Sequence, residues 1–364
     1  MRRGLRVLIV GSMLALPVVA ATPSDALKSG KAELRSAGAL AFGPSGILFV
    51  GDSLGGALLA LDTGDTQAVA KAPALDMPAV NEKVAALLGT SVDQISLNDV
   101  AVNPVSHRVY VSVTRGSGPE AAPVILRTTA AGGFEELLLE EIPHARVALP
   151  NPPTTDAKDF RGQPRRLETI TDLEYVDGTV YVAGLSNEEF SSKLRALPYP
   201  FRDADAGSSV EIYHGAHGRF ETSSPVRTFT TYQIGGEPHI LAAYTCTPLV
   251  KFPVSSLKPG TKVMGTTIAE LGNRNRPLDM FVYSRGGAEY ILMSNSSRGV
   301  MKLSTDKIGE FAPITARTDV AGVPYETIAD LKGVQQLDRY DAERAVVLAV
   351  GQSGALDLRT IALP

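Results

Sequence analysis

Apolar residues in this chain come in short runs of strand length, each closed by a turn, and the runs recur in groups from residue 39 to the C-terminus. Runs of four to eight residues bounded by Gly, Pro, Asn or Asp are the pattern of strands with at least one buried face. The first group reads Ala39-Leu40-Ala41-Phe42, then Ile47-Leu48-Phe49-Val50, then Ala57-Leu58-Leu59-Ala60-Leu61. Five more groups follow: 100–102, 108–113 and 124–128; 173–176, 180–183 and, after an insertion, 210–213; 226–232, 240–244 and 249–252; 280–283, 290–294 and 300–303; 331–337, 345–350 and 356–362. Pro44-Ser45-Gly46, Asp177-Gly178 and Arg285-Gly286-Gly287 supply turn chemistry between strands.

Self-similar strand groups at near-regular spacing predict an all-β chain with radial repetition, a β-propeller. The count is six blades, with seven as the alternative. The last group runs out of chain after Leu363 without a fourth strand, so an N-terminal strand is expected to close the ring, with residues 31–36 as the expected donor. A length prior of about 150 residues per domain suggests two domains; the repeats predict a single one over residues 22–364. Two inserts interrupt the rhythm. Residues 78–88 read as a helix, with Asp76 near its cap, Pro78 in its first turn and Gly89 past its end. Residues 149–166 carry Pro and Arg without periodicity and read as a long loop across one face.

Residues 1–21 read as a signal peptide. Arg2, Arg3 and Arg6 precede an apolar run over 7–19 that is too short to span a bilayer, and cleavage is expected after Ala20 or Ala21. The expected location is therefore periplasmic or secreted, with no membrane span. Without those three arginines, 32 basic residues face 39 acidic ones, a net of −7, the wrong sign for a nucleic-acid partner. Cys246 is the single cysteine, which excludes an internal disulfide. Tryptophan is absent, and 34 glycines and 24 prolines suit a turn-rich all-β chain, which is expected to be a monomer.

The candidate chemistry lies in a recurrent aspartate at strand starts: Asn98-Asp99-Val100, Thr171-Asp172-Leu173, Leu278-Asp279-Met280 and Ala329-Asp330-Leu331. Asp is depleted in strands, so its return at one point of a repeated unit suggests carboxylates gathered round an axis. Like charges gathered there raise one another's pKa. A bound cation, arginine pairing or backbone N–H donors would each resolve the repulsion. Ca²⁺ suits such hard oxygen donors; Arg274, Arg276 and Arg298 offer the second route; in the third, each aspartate caps its own strand and braces the next blade.

The stretch Leu97-Asn98-Asp99-Val100-Ala101-Val102-Asn103-Pro104 resembles the blade starts of calcium-dependent six-bladed propellers, the arylesterase/lactonase (paraoxonase-like) and gluconolactonase-like proteins. Segments 184–195, 239–253 and 270–280 look like those of secreted bacterial propellers. The first resemblance implies Asn98, Asp99, Asp172, Asp279 and Asp330 as metal ligands. It also implies a hydrolase of esters or lactones, with Glu188 or Glu189 as general base. This sequence departs from that pattern in two places: the family's N-terminal glutamate ligand has no counterpart, and the fourth group carries Thr230 and Thr231 where Asp or Asn would stand.

In a propeller the turns after the second strands share the face of the aspartates, which would add Asn187, Asn295 and Arg298 to the ligand-binding set with Arg274 and Arg276. A small molecule with a carboxylate or phosphate suits those arginines. The rival reading is a non-catalytic propeller that docks a small ligand or a partner protein on the same face. A third is a copper or redox role through His214, His217, His239 and Cys246, since thiolate and imidazole select copper. No Gly-x-Ser-x-Gly, phosphate-loop, dinucleotide or His-Glu-x-x-His motif occurs.

Overall fold

The computed structural model describes residues 26–364, so the expected signal peptide lies outside the described residues. Six small sheets, antiparallel except where Lys262–Met264 runs parallel to Ser208–His214, stand in a ring, a six-bladed β-propeller. Blade 1 holds Leu40–Phe42, Ile47–Asp52, Ala57–Asp62 and His144–Ala148. Blade 2 runs Asp172–Val176, Thr179–Leu185, Ser192–Pro198 and Ser208–His214, and outside it Arg219–Glu221 and Lys262–Met264 both pair with Ser208–His214. Blade 3 holds Thr228–Ile234, Glu237–Ala243, Pro248–Pro253, Thr266–Leu271 and the outlying Val320–Gly322. Blade 4 is Pro277–Arg285, Ala288–Asn295, Gly299–Ser304 and Tyr325–Ile328. Blade 5 is Val334–Arg339, Arg344–Val350, Leu356–Ala362 and Asp76–Met77, and blade 6 is Ile95–Val102, Val109–Arg115, Ala122–Thr128 and Phe134–Glu136.

The blades are not in chain order. The innermost strands touch in the cycle 1–2–3–4–5–6–1, so the blade built from residues 95–136 sits between the first segment and the last blade. After blade 1's third strand the chain steps backward, gives Asp76–Met77 to blade 5, builds blade 6, and only then returns to complete blade 1 with His144–Ala148. An N-terminal strand thus closes the ring, but it is Asp76–Met77 and not residues 31–36. The earlier segment instead lies along blade 1, where Lys28 exchanges hydrogen bonds with His144, and Arg35 and Ser36 donate backbone N–H groups to Asp52.

Burial explains why this closure holds. Each of the six seams between neighbouring blades carries its own apolar cluster. Met77 is buried at the seam of blades 5 and 6 among Val100, Val109, Val346 and Leu358, so the two-residue strand is held by packing as well as by its ladder to Leu358 and Arg359. At the seam of blades 1 and 2, Phe49 stacks on Tyr175 and meets Tyr199 and Phe201 edge-on or tilted.

The first insert forms the helix Val80–Leu87 against blade 5, beginning after Ala79 in a left-handed conformation. Asp76 belongs to the closing strand and does not cap the helix; Asp357 accepts the Ala79 N–H and Asn81 accepts that of Leu356. Ser192–Pro198 is the third strand of blade 2, which makes 208–214 its fourth and not its third.

Candidate functional site

The aspartates converge on the propeller axis because each sits on an innermost strand. That strand is a sheet edge, and its outward N–H groups need acceptors. Asp99 and Asp279 follow register shifts in their strands, and such irregularities turn a side chain away from its regular face. Each carboxylate spans a seam. Asp99 Oδ2 accepts the Leu40 N–H at 2.7 Å, Asp172 Oδ2 that of Phe229 at 2.8 Å, and Asp279 Oδ2 that of Leu337 at 2.9 Å. The second oxygen of each accepts the N–H of the following residue, from Val100, Leu173 and Met280.

Two further carboxylates that sequence reasoning missed do the same. Asp338 Oδ2 accepts the Val102 N–H at 2.7 Å, and Glu174 Oε2 accepts that of Thr231 at 2.6 Å. Asp330, the fourth aspartate expected at the axis, stands exposed in the turn before blade 5. The innermost strand there starts at Val334, so Asp338 and not Asp330 reaches the axis. Glu174 lies two residues after Asp172, on the same face of one strand, a signal that period-two reading could have used.

These residues are half-buried at the axis, and burial raises the carboxyls of all of them. The Asp172 and Glu174 carboxyls are pushed up to about 7 and that of Asp338 to about 6, against the lowering effect of their backbone donors. Asp99 is raised well above the ordinary value by burial and then by the charges of Asp172 and Asp338, and Asp279 by burial and then by those of Asp99, Asp172 and Asp338. The axial acids therefore hold their protons to higher pH than ordinary carboxylates do.

Above Asp99, Asp172 and Asp279 opens a cavity of about 1100 Å³. Asn98 lines it with its Nδ2 bound to Ala37 O and Thr114 Oγ1. The 149–166 loop forms part of the wall through Thr155, Asp159, Arg161 and Gln163. Arg166 fastens that loop by donating to the carbonyls of Ser53, Leu54 and Pro153. Arg227 pairs with Glu168 at 2.6 Å. Arg35 and Arg276 line the same cavity, and their guanidiniums make no hydrogen bond or ion pair to a protein group among the described residues. Burial, and after it the nearby Arg227, lowers Arg276 from the ordinary arginine value.

The other expected residues are dispersed. Asn295 and Arg298 line a second cavity of about 610 Å³ between blades 4 and 5. Glu188 is paired with the buried Lys193 Nζ at 2.8 Å, and Glu188, Glu189, Asn187 and Arg274 line neither cavity. The two glutamates thus do not stand over the axial aspartates, because they ride the turn between Leu185 and Ser192, beyond the mouth. The soft-metal set is divided as well: His214 and His217 stack with ring centroids 3.8 Å apart, whereas the His239 Nδ1 hydrogen-bonds Glu237 O and Cys246 sits in a turn at φ 66° against Asn275.

Three donors of one Ca²⁺ at 2.3–2.6 Å lie within roughly 5 Å of each other. Among the described residues, the one group of three His, Cys, Asp or Glu donors within 4.8 Å is His214, His217 and Glu221. The axial aspartates do not converge that closely, and both oxygens of each already accept an N–H. As disposed, no three of these carboxylates stand close enough to share one directly coordinated ion.

This arrangement defines a six-bladed propeller with a carboxylate-floored, arginine-rimmed axial mouth. No protein-family model matches the sequence, and no curated protein matches it. Solved structures of similar shape include a PQQ-bound aldose sugar dehydrogenase from Streptomyces coelicolor, at 11% identity over 92% of this chain and 96% of that chain with a TM-score of 0.38. Others are a glucose dehydrogenase-type oxidoreductase from Thermus thermophilus (13%, 92% and 100%, 0.36) and a GH43 glycoside hydrolase (11%, 81% and 52%, 0.41). Likenesses this distant do not bear on what the present chain binds.

Proposed function

We propose that this chain is an exported propeller that binds a small anion, carrying a carboxylate or phosphate, in its axial mouth. The observation that carries the reading is the pair of guanidiniums, Arg35 and Arg276, that line the 1100 Å³ cavity without protein partners among the described residues. Planar guanidiniums bind such anions in bidentate fashion. The axial acids raised toward neutrality reduce the repulsion an anion would meet, and in their protonated form they donate hydrogen bonds to it. The basic-then-apolar N-terminus supports export.

The calcium-dependent ester or lactone hydrolase implied by the sequence resemblance is the reading we do not adopt, because the axial oxygens are spread and engaged. Thermal-shift and calorimetric titration with phosphate, citrate and gluconate tests the proposal. Saturable binding by wild type that falls at least about tenfold in Arg276→Ala, with the unfolding midpoint unchanged, supports it. Equal binding by both proteins removes it. Calcium-dependent turnover of phenyl acetate or a γ-lactone, abolished in Asp99→Asn, would replace it with the hydrolase.

A further inference from the structure

We infer a second site, for a borderline divalent cation of the Zn²⁺ class, held by His214, His217 and Glu221 on the outer edge of blade 2. None of the three lines the axial mouth, and the site is independent of the function proposed for that mouth.

The hairpin builds the cluster. Ser208–His214 pairs with Arg219–Glu221 so that His214 faces Arg219 and Ile212 faces Glu221. His214 and Glu221 are therefore diagonal neighbours on one face. The four-residue turn between the strands folds His217 back over His214, with the N–H groups of His217 and Gly218 on His214 O. His214 Nδ1 lies 3.0 Å from Glu221 Oε2, and His217 Nδ1 lies 2.7 Å from Glu221 Oε1. The three ligand atoms lie within 4.8 Å of one another.

Both imidazoles turn Nδ1 toward the Glu221 carboxylate. His214 Nε2, in a side chain 2% exposed, has no hydrogen-bond partner among the described residues. An unpartnered buried polar atom is rare in a finished structure, and it marks this imidazole as incompletely satisfied.

A tetrahedral ion with bonds of about 2.0–2.2 Å sets adjacent donors about 3.3–3.5 Å apart. The Nδ1–oxygen separations of 3.0 and 2.7 Å, which run to different Glu221 oxygens, would open by about 0.3–0.8 Å as the carboxylate turns one oxygen to the ion. On binding, the ion takes the two Nδ1 lone pairs and one Glu221 oxygen. The ring protons move to Nε2, where His217 meets solvent. His214 Nε2–H then needs an acceptor of the kind that orients zinc-bound histidines. Glu270, on the strand Thr266–Leu271, accepts the Gly215 N–H through Oε1 and has its Oε2 buried without a donor, but Oε2 and His214 Nε2 are not hydrogen-bonded to each other, so a side-chain shift or a water completes that contact. Ser224 Oγ stays on Glu221 Oε2 at 2.6 Å, while the largely exposed Arg219 is free to leave Oε1. Three protein ligands leave a fourth position for water or an incoming group.

The test uses the full mature chain, stripped with dipicolinate and titrated with ZnCl₂ by calorimetry, with Co²⁺ absorption reporting coordination. The expected result is one ion per chain, a four-coordinate Co²⁺ spectrum, and affinity at least about tenfold lower in His217→Ala and in Glu221→Gln. Cys246→Ser should bind as wild type. His217 lies in a turn with its side chain 37% exposed, so His217→Ala stays folded even if Glu221→Gln does not. No stoichiometric binding, binding that survives His217→Ala, or binding lost in Cys246→Ser overturns the site.

Discussion

Asp338 Oδ2 accepts the backbone N–H of Val102 across 2.7 Å of space and 236 residues of chain. The bond joins the last blade to the blade built from residues 95–136, the seam where the ring closes. Asp338→Ala leaves a channel-edge N–H without its acceptor, a loss of about 1–3 kcal/mol. Asp330→Ala removes an exposed turn carboxylate and should stay within about 0.5 kcal/mol of wild type. Urea unfolding of the two variants side by side measures the difference, and equal midpoints would show that the axial carboxylate does not brace the seam.

Met77 tests the same closure through packing. Its side chain is 2% exposed in the cluster shared by blades 5 and 6. Met77→Ala should cost about 2–5 kcal/mol, well above what a residue of a two-residue edge strand would otherwise carry. Hydrogen exchange should then rise first in Leu356–Ala362, the partner strand.

The axial acids set a direction for stability against pH. The carboxyls of Asp172 and Glu174, raised to about 7 by burial, hold protons in the folded chain that the unfolded chain gives up near pH 4. Between about pH 4 and 7 the folded state binds more protons, so this contribution to stability falls as pH rises and levels off above 7. Glu174→Gln keeps an oxygen for the Thr231 N–H and removes one titration. Denaturant midpoints from pH 5 to 8 should therefore fall less steeply in the variant than in wild type; a parallel decline would rule out Glu174 as a source.

Arg166 connects the mouth wall to blade 1 through the carbonyls of Ser53 and Leu54 and braces the loop itself through that of Pro153. Charged hydrogen bonds of this kind contribute about 1.5–3 kcal/mol each. Arg166→Ala should release the loop locally, so that limited proteolysis cuts within residues 154–165 several times faster while the global unfolding midpoint moves little. Unchanged cleavage would mean the wall is held by other contacts.

Much of the fold was legible because its causes are local. Strand-length apolar runs and the Gly, Pro and Asp turns between them depend on residues a few positions apart, and they gave six sheets and the helix after Ala79. Asp99, Asp172 and Asp279 were visible for the same reason, since a carboxylate at a strand start is out of place in an ordinary sheet. His214 and His217 announced themselves by spacing, but Glu221 needed the hairpin register to become their partner. Asp330 was chosen over Asp338 because the innermost strand of blade 5 begins later than the apolar run suggests.

The repeated strand pattern, and the residue types that mark one face of the ring, follow from the order of amino acids alone. Three outcomes were settled by long-range packing instead: Asp76–Met77 completes the last blade, residues 95–136 stand between the first and last blades, and Arg35 and Arg276 line one cavity with the axial aspartates. Each depends on which distant surfaces bury each other most fully. A two-residue strand carries too little local pattern to show that its partner, at Leu358 and Arg359, lies near the other end of the chain.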